Sequence, residues 1–140
     1  MSLDYINIQM SIFIFGNPDL AHDSLPLKIL PELKKCFPQI KFEVKDPNEE
    51  WGAFTVSGAE PLEELIIIDT AVGINKVTVF DGLEQFESAP RVSMHDFDAL
   101  FNLRYLQKLG CVKKVKIIGI PPTISEDEAK LEVAKILSGF

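Results

Sequence analysis

The sequence predicts a three-layer α/β/α sandwich on a mostly parallel five-stranded sheet with one antiparallel edge strand. Apolar runs of strand length alternate with segments of helical period, the order expected of βα units. The most apolar runs, "LIII" before Asp69 and "IIGI" ending at Ile120, show no polar alternation, as in strands buried on both faces. The chain of 140 residues is 46% apolar, which suits a single domain, residues 1–140, with a core of its own.

The elements follow in order. Ser11 to Phe15 is β-favouring and apolar and stops at Gly16-Asn17-Pro18. Leu25 to Phe37 places Leu25, Ile29, Leu30, Leu33 and Phe37 on one helical face. Asp23 or Ser24 is placed to cap that helix, Pro26 suits its first turn, and Pro31 predicts a kink. Ile40 to Lys45 alternates, with Phe42 and Val44 on one face, and Asp46 to Phe54 is a loop. Leu65 to Thr70 is the third strand. The short link through Asn75 is hairpin-like, which makes Val77 to Phe80 an antiparallel edge strand. Asp96 to Leu109 reads as a helix and Lys114 to Ile120 as the last strand. Ser125 to Leu137 is a helix opened by a capping box, Ser125 with Glu128.

Bulk properties exclude several classes. A net charge of −7 argues against nucleic acid, which requires a basic face. Lys113, Lys114 and Lys116 are local and are expected to protect a strand edge. No apolar run is long enough to cross a bilayer, and the N-terminus lacks the pattern of a signal peptide, so a cytoplasmic protein is expected. Cys36 and Cys111 lack CxxC or zinc-finger spacing and are expected to be buried thiols in a reducing compartment. There is no GxSxG elbow, Walker loop or GxGxxG fingerprint.

In parallel sheets ligands gather at the carboxyl ends of the strands. Three polar residues fall there or beside helix starts: Asp23 after the first strand, Asp69 ending the third, and His95 ahead of the helix from Asp96. Each has a structural alternative. Asp23 can cap a helix, Asp69 a turn, and His95 can be a capping or surface histidine. However, an aspartate that ends a run of isoleucines is costly unless paired, hydrogen-bonded or metal-bound. Two carboxylates and an imidazole suit a divalent transition ion such as zinc or nickel. His22, beside Asp23, is expected to be exposed. Trp51 either lines a peptide groove beside this set or packs over the sheet edge.

"FGNPDLAHDSLPLKI", "ELIIIDTAVG", "SMHDFD…LRYLQKLG" and "VKIIGIPP" resemble, in that order, the maturation endopeptidases of NiFe hydrogenases, over Ser11 to Pro122. The resemblance matches Asp23, Asp69 and His95 to the residues with which that family engages nickel. It matches Asp46 to a further aspartate after the second strand, and Gly16-Asn17 to the family's turn after the first. Asp46 and Asn17 are thereby candidate substrate contacts. The family's paired acids and glycine at the helix entrance are here His22-Asp23-Ser24, and its Asp-Gly-Gly turn is Asp46-Pro47-Asn48.

The resemblance implies a nickel-dependent endopeptidase that removes the C-terminal extension of a NiFe-hydrogenase large-subunit precursor after nickel insertion. The nickel would be supplied by the substrate, with zinc or another divalent ion as a substitute. The expected partner is that precursor, met by a monomer. One alternative is a non-catalytic metal-sensing or chaperone-like module of the same fold. Another is a plain α/β domain whose aspartates are caps.

Overall fold

The computed structural model describes residues 11–16, 19–45, 62–82, 84–85 and 103–140. Its five strands are β1 (Ser11–Ile14), β2 (Lys41–Val44), β3 (Leu62–Thr70), β4 (Thr78–Asp81) and β5 (Val112–Ile120), in the order β2-β1-β3-β5-β4. β1, β2, β3 and β5 are parallel, and β4 runs antiparallel to β5 at the edge. The predicted fold class holds, including the reversed edge strand. Helices flank the sheet: α1 (Leu25–Cys36), α2 (residues 103–108) and α3 (Glu126–Ser138). Of the helix expected from Asp96, the part ahead of residue 103 lies outside the described residues.

Alternation along the strands sends side chains to two cores. Ile12, Ile14, Ile66, Ile68, Ile118 and Ile120 pack under α1 and α3, against Ile29, Leu33, Ala129 and Val133. Phe13, Phe15, Leu65, Ile67, Val115 and Ile117 form the other core, with Leu103 and Leu106 of α2. The α1 stripe is as expected, with Pro31 on its exposed side while the helix continues to Cys36. Ser125 accepts a hydrogen bond from the Glu128 N–H at 3.1 Å, as a helix N-cap does.

β3 and β5 begin earlier than their apolar runs. They stay in register from Leu62 opposite Val112 to Thr70 opposite Ile120. The charged first halves answer each other, with Lys113 Nζ 2.8 Å from Glu63 Oε1 and Lys116 Nζ 3.5 Å from Glu64 Oε2. Lys113 and Lys116 pair across to β3, and on the other side of β5 the pairing with β4 covers only Lys116 to Gly119. The cysteines depart from expectation. Cys36 is exposed at the last position of α1, and Cys111 is half-buried against the α2-side core. Val44 shares a face with Phe42 but is exposed, because β2 is the outermost strand. Among the described residues no helix is long and apolar enough to cross a membrane.

On β2, Glu43 lies 3.0 Å from Lys41 Nζ and 3.4 Å from Lys45 Nζ. The hydrogen bond from Lys41, helped by the charge of both lysines and opposed by partial burial, holds the Glu43 carboxyl below its ordinary value. Its pKa is lower folded than unfolded. The stabilisation is therefore present above the unfolded value, about 4.3, and is lost as pH falls through the folded one. For so exposed a cluster the effect is about 0.2–1 kcal/mol. Glu43→Gln should lower stability by that amount at neutral pH, and the gap should close towards pH ~3. Urea unfolding at both pH values checks this.

Candidate active site

β1 and β3 are hydrogen-bonded neighbours, with Ile14 opposite Ile68 and the Phe15 N–H donating to the Ile68 carbonyl at 2.9 Å. Beyond that rung the chain leaves β1 at Gly16 and returns through a 3-10 turn, Ala21–Asp23, to the start of α1. The returning turn rests on Gly16. A Cβ there would lie 3.0 Å from the Asp23 carbonyl oxygen and 3.1 Å from Leu27 Cγ. Gly16 thus seats the turn that carries Asp23 against the carboxyl end of β1, one strand away from Asp69. Gly16 is needed for this close approach rather than for a positive φ.

Four polar or charged residues are buried among the described ones, namely Asp23, Ser24, Asp69 and Thr70, each 4% exposed or less. All four sit at this one edge of the sheet, and both cores elsewhere are apolar. Asp69 alternates with Leu65 and Ile67 and so faces the α2 side. Thr70 alternates with Ile66 and Ile68 and faces α1.

The Asp69 carboxylate has a definite local task. The Ala71 N–H donates to Ile120 on the β5 side, so the Thr70 N–H points towards β1. The β1 ladder has ended by that level, and Asp69 Oδ1 accepts the Thr70 N–H instead, at 2.7 Å. The bond turns one oxygen of Asp69 back towards the β1 side, where Asp23 lies. The N-cap position of α1 is held by Ser24, not Asp23, and Ser24 makes no side-chain cap. Its hydroxyl donates to the Ala21 carbonyl at 3.1 Å, which ties the 3-10 turn together. The expected Ser24 side-chain cap is therefore replaced by a bond within the turn.

The structure places Asp69 near the end of β3 and the Asp23 turn against the end of the neighbouring β1. His95, Asp46, Asn17 and Trp51 lie outside the described residues, as does the side chain of His22. Among the described residues no three His, Cys, Asp or Glu side chains are grouped to hold a metal ion. Of the expected set, Asp23 and Asp69 alone are described. Thr70 was not anticipated. Its signal is modest, a hydroxyl at the α1-facing position that ends an isoleucine run.

The family model of the hydrogenase maturation proteases matches residues 52–137. The chain belongs to the hydrogenase maturation protease family. The matched span contains Asp69 and His95, whereas Asp23 precedes it. Solved structures in this family share the fold. The NiFe-hydrogenase maturation protease HybD of Thermococcus kodakarensis is 19% identical, with a TM-score of 0.62, over 93% of this chain and 97% of that one. The hydrogenase maturating endopeptidase HybD of E. coli is 16% identical, with a TM-score of 0.61, over 93% of each chain. An endopeptidase from Escherichia coli, solved in solution, is 16% identical with a TM-score of 0.56, again over 93% of each. No curated protein sequence matches the chain. In this maturation protease, the two described acids stand at the strand ends where a parallel sheet presents its ligand site.

Proposed function

We propose that this protein is an endopeptidase that removes the C-terminal extension from a NiFe-hydrogenase large-subunit precursor once nickel has been inserted. Family membership supports the reaction class. The observation that carries the site is the confinement of buried polar side chains to one sheet edge, with Asp69 near the end of β3 and the Asp23 turn seated against the end of β1. Carboxylates held in an otherwise apolar core are expensive unless they have a task there.

In this reading Asp23, Asp69 and His95 engage the nickel that the substrate carries. Two carboxylate oxygens and an imidazole nitrogen suit a borderline divalent ion, so zinc or another such ion is a substitute. The ion, once bound, supplies Lewis-acid polarisation of the scissile carbonyl or activation of water. The chain itself contributes orientation. The Thr70 N–H fixes one oxygen of Asp69, and Gly16 seats the Asp23 turn. Asn17 and Asp46 are assigned to substrate contact. Sharing the ion between protein and precursor makes cleavage conditional on nickel loading.

The test is incubation with nickel-loaded and nickel-free precursor, followed by mass spectrometry of the large subunit. Loss of the C-terminal tail from the loaded form alone is expected. An intact tail in both sinks the reading. Tight binding of the loaded form without cleavage would establish the non-catalytic, metal-sensing module instead.

A further inference from the structure

Thr70 is 1% exposed, and its Oγ1 makes no hydrogen bond. A buried hydroxyl without a partner is unfavourable, and valine would fill the same volume without that penalty. The residue stands out for its surroundings as well. On its face of the sheet the neighbouring strand positions are Ile12, Ile14, Ile66, Ile68, Ile118 and Ile120, none of which offers a side-chain partner.

The turn that carries Asp23 packs at this same edge of the sheet. Ile14 is opposite Ile68 and the Phe15 N–H reaches the Ile68 carbonyl, so Gly16 follows Ile14 on the α1 face as Thr70 follows Ile68. Gly16 has no side chain on that face, and the Asp23 main chain occupies the space, as the 3.0 Å approach to a Gly16 Cβ shows. Thr70 and the Asp23 turn therefore lie on the same face of the sheet at the same edge. Ser24 shares this turn, and its hydroxyl is already committed to the Ala21 carbonyl. One step of Thr70 χ1 between staggered wells moves the hydroxyl to a new direction without moving the backbone.

We propose that Thr70 is a positioning residue for Asp23: by such a step its hydroxyl donates to the Asp23 carboxylate and selects the rotamer that engages the substrate. The role rests on the peptidase reading above. It assigns the two consecutive residues at the end of β3 to the two acids. Asp69 presents its own carboxylate to the α2 side, and Thr70 steadies that of Asp23 on the α1 side.

Thr70→Val keeps the shape and removes the hydroxyl, and Thr70→Ser keeps the hydroxyl. With nickel-loaded precursor as substrate, Thr70→Val should lower kcat about 10-fold or more, the scale of one hydrogen bond to a charged group, with KM unchanged. Thr70→Ser should retain most of the turnover, and the melting midpoint of Thr70→Val should match or exceed that of the wild type. In the free proteins, NMR three-bond couplings across Asp23 χ1 should shift in Thr70→Val and match the wild type in Thr70→Ser. Wild-type turnover in Thr70→Val overturns the inference, and so does an equal loss in both variants, which marks packing alone. If the wild-type protein cleaves nothing, the peptidase reading has failed and the couplings decide by themselves. A shift confined to Thr70→Val then sustains the contact between Thr70 and Asp23, and unchanged couplings overturn it.

Discussion

Asp69→Asn is expected to reduce cleavage of nickel-loaded precursor by about 100-fold or more while the protein stays folded. A metal-engaging carboxylate contributes several kcal/mol where charge develops in the reaction, and each 1.4 kcal/mol is about a factor of ten in rate. The structure adds a second function that separates this variant from a simple truncation. Asp69 Oδ1 accepts the Thr70 N–H at 2.7 Å in a buried setting. Asparagine retains an oxygen for that bond and loses only the charge. Alanine loses both, leaves the N–H buried without its acceptor, and should destabilise by about 1–3 kcal/mol. The expected pattern is therefore two inactive proteins, of which only Asp69→Ala melts early. Precursor cleavage and thermal unfolding measured on both variants check it. Full activity in Asp69→Asn would remove Asp69 from the reaction and leave it as the acceptor that finishes β3.

Asp69 also shows what the sequence made legible. An acid that ends "LIII" is conspicuous because the preceding apolar run demands burial on both sides, and burial makes the charge expensive. The parallel order of β1 and β3 follows from the helix between them, which places Asp23 and Asp69 at the same edge. What stayed hidden depends on register and on three-dimensional approach. The charged starts of β3 and β5 were not visible as strand, since Glu63 and Glu64 find Lys113 and Lys116 only once the two strands lie side by side. Cys36 follows the apolar stripe of α1, three residues after Leu33, yet it is the last residue of the helix and is exposed there. Ser24 had a capping residue's position, but the 3-10 turn ahead of it offered the Ala21 carbonyl as a closer partner. Thr70 could be singled out only after the face it occupies was known.

Gly119→Ala is expected to lower the melting midpoint by about 3–10 °C, the largest stability loss foreseen for so small a change. Gly119 sits in β5 between Asp69 of β3 and Thr78 of β4. Its φ is not positive, so an alanine faces no backbone penalty, and in an open strand it would be favourable. Space decides the sign. A Cβ at Gly119 would stand 2.8 Å from Ala71 Cβ and 2.9 Å from Phe80 Cε2. Neither neighbour is the loose end of a long side chain. Ala71 is pinned through its N–H to the Ile120 carbonyl at 3.0 Å, and Phe80 is buried in the α2-side core, on the strand paired with β5. Relief must come from backbone movement, and overpacking of this kind costs about 1–3 kcal/mol. For a domain of this size each kcal/mol is about 2–4 °C. Ala71 follows Asp69 by two residues, so the displacement passes into the end of β3, and cleavage should fall along with stability. Gly139→Ala is the control. Its Cβ would meet nothing closer than 3.5 Å, and the variant should melt within about 1 °C of the wild type. Equal melting of the two variants would show that Ala71 and Phe80 yield freely, and that Gly119 is not what brings the ends of β3, β4 and β5 together.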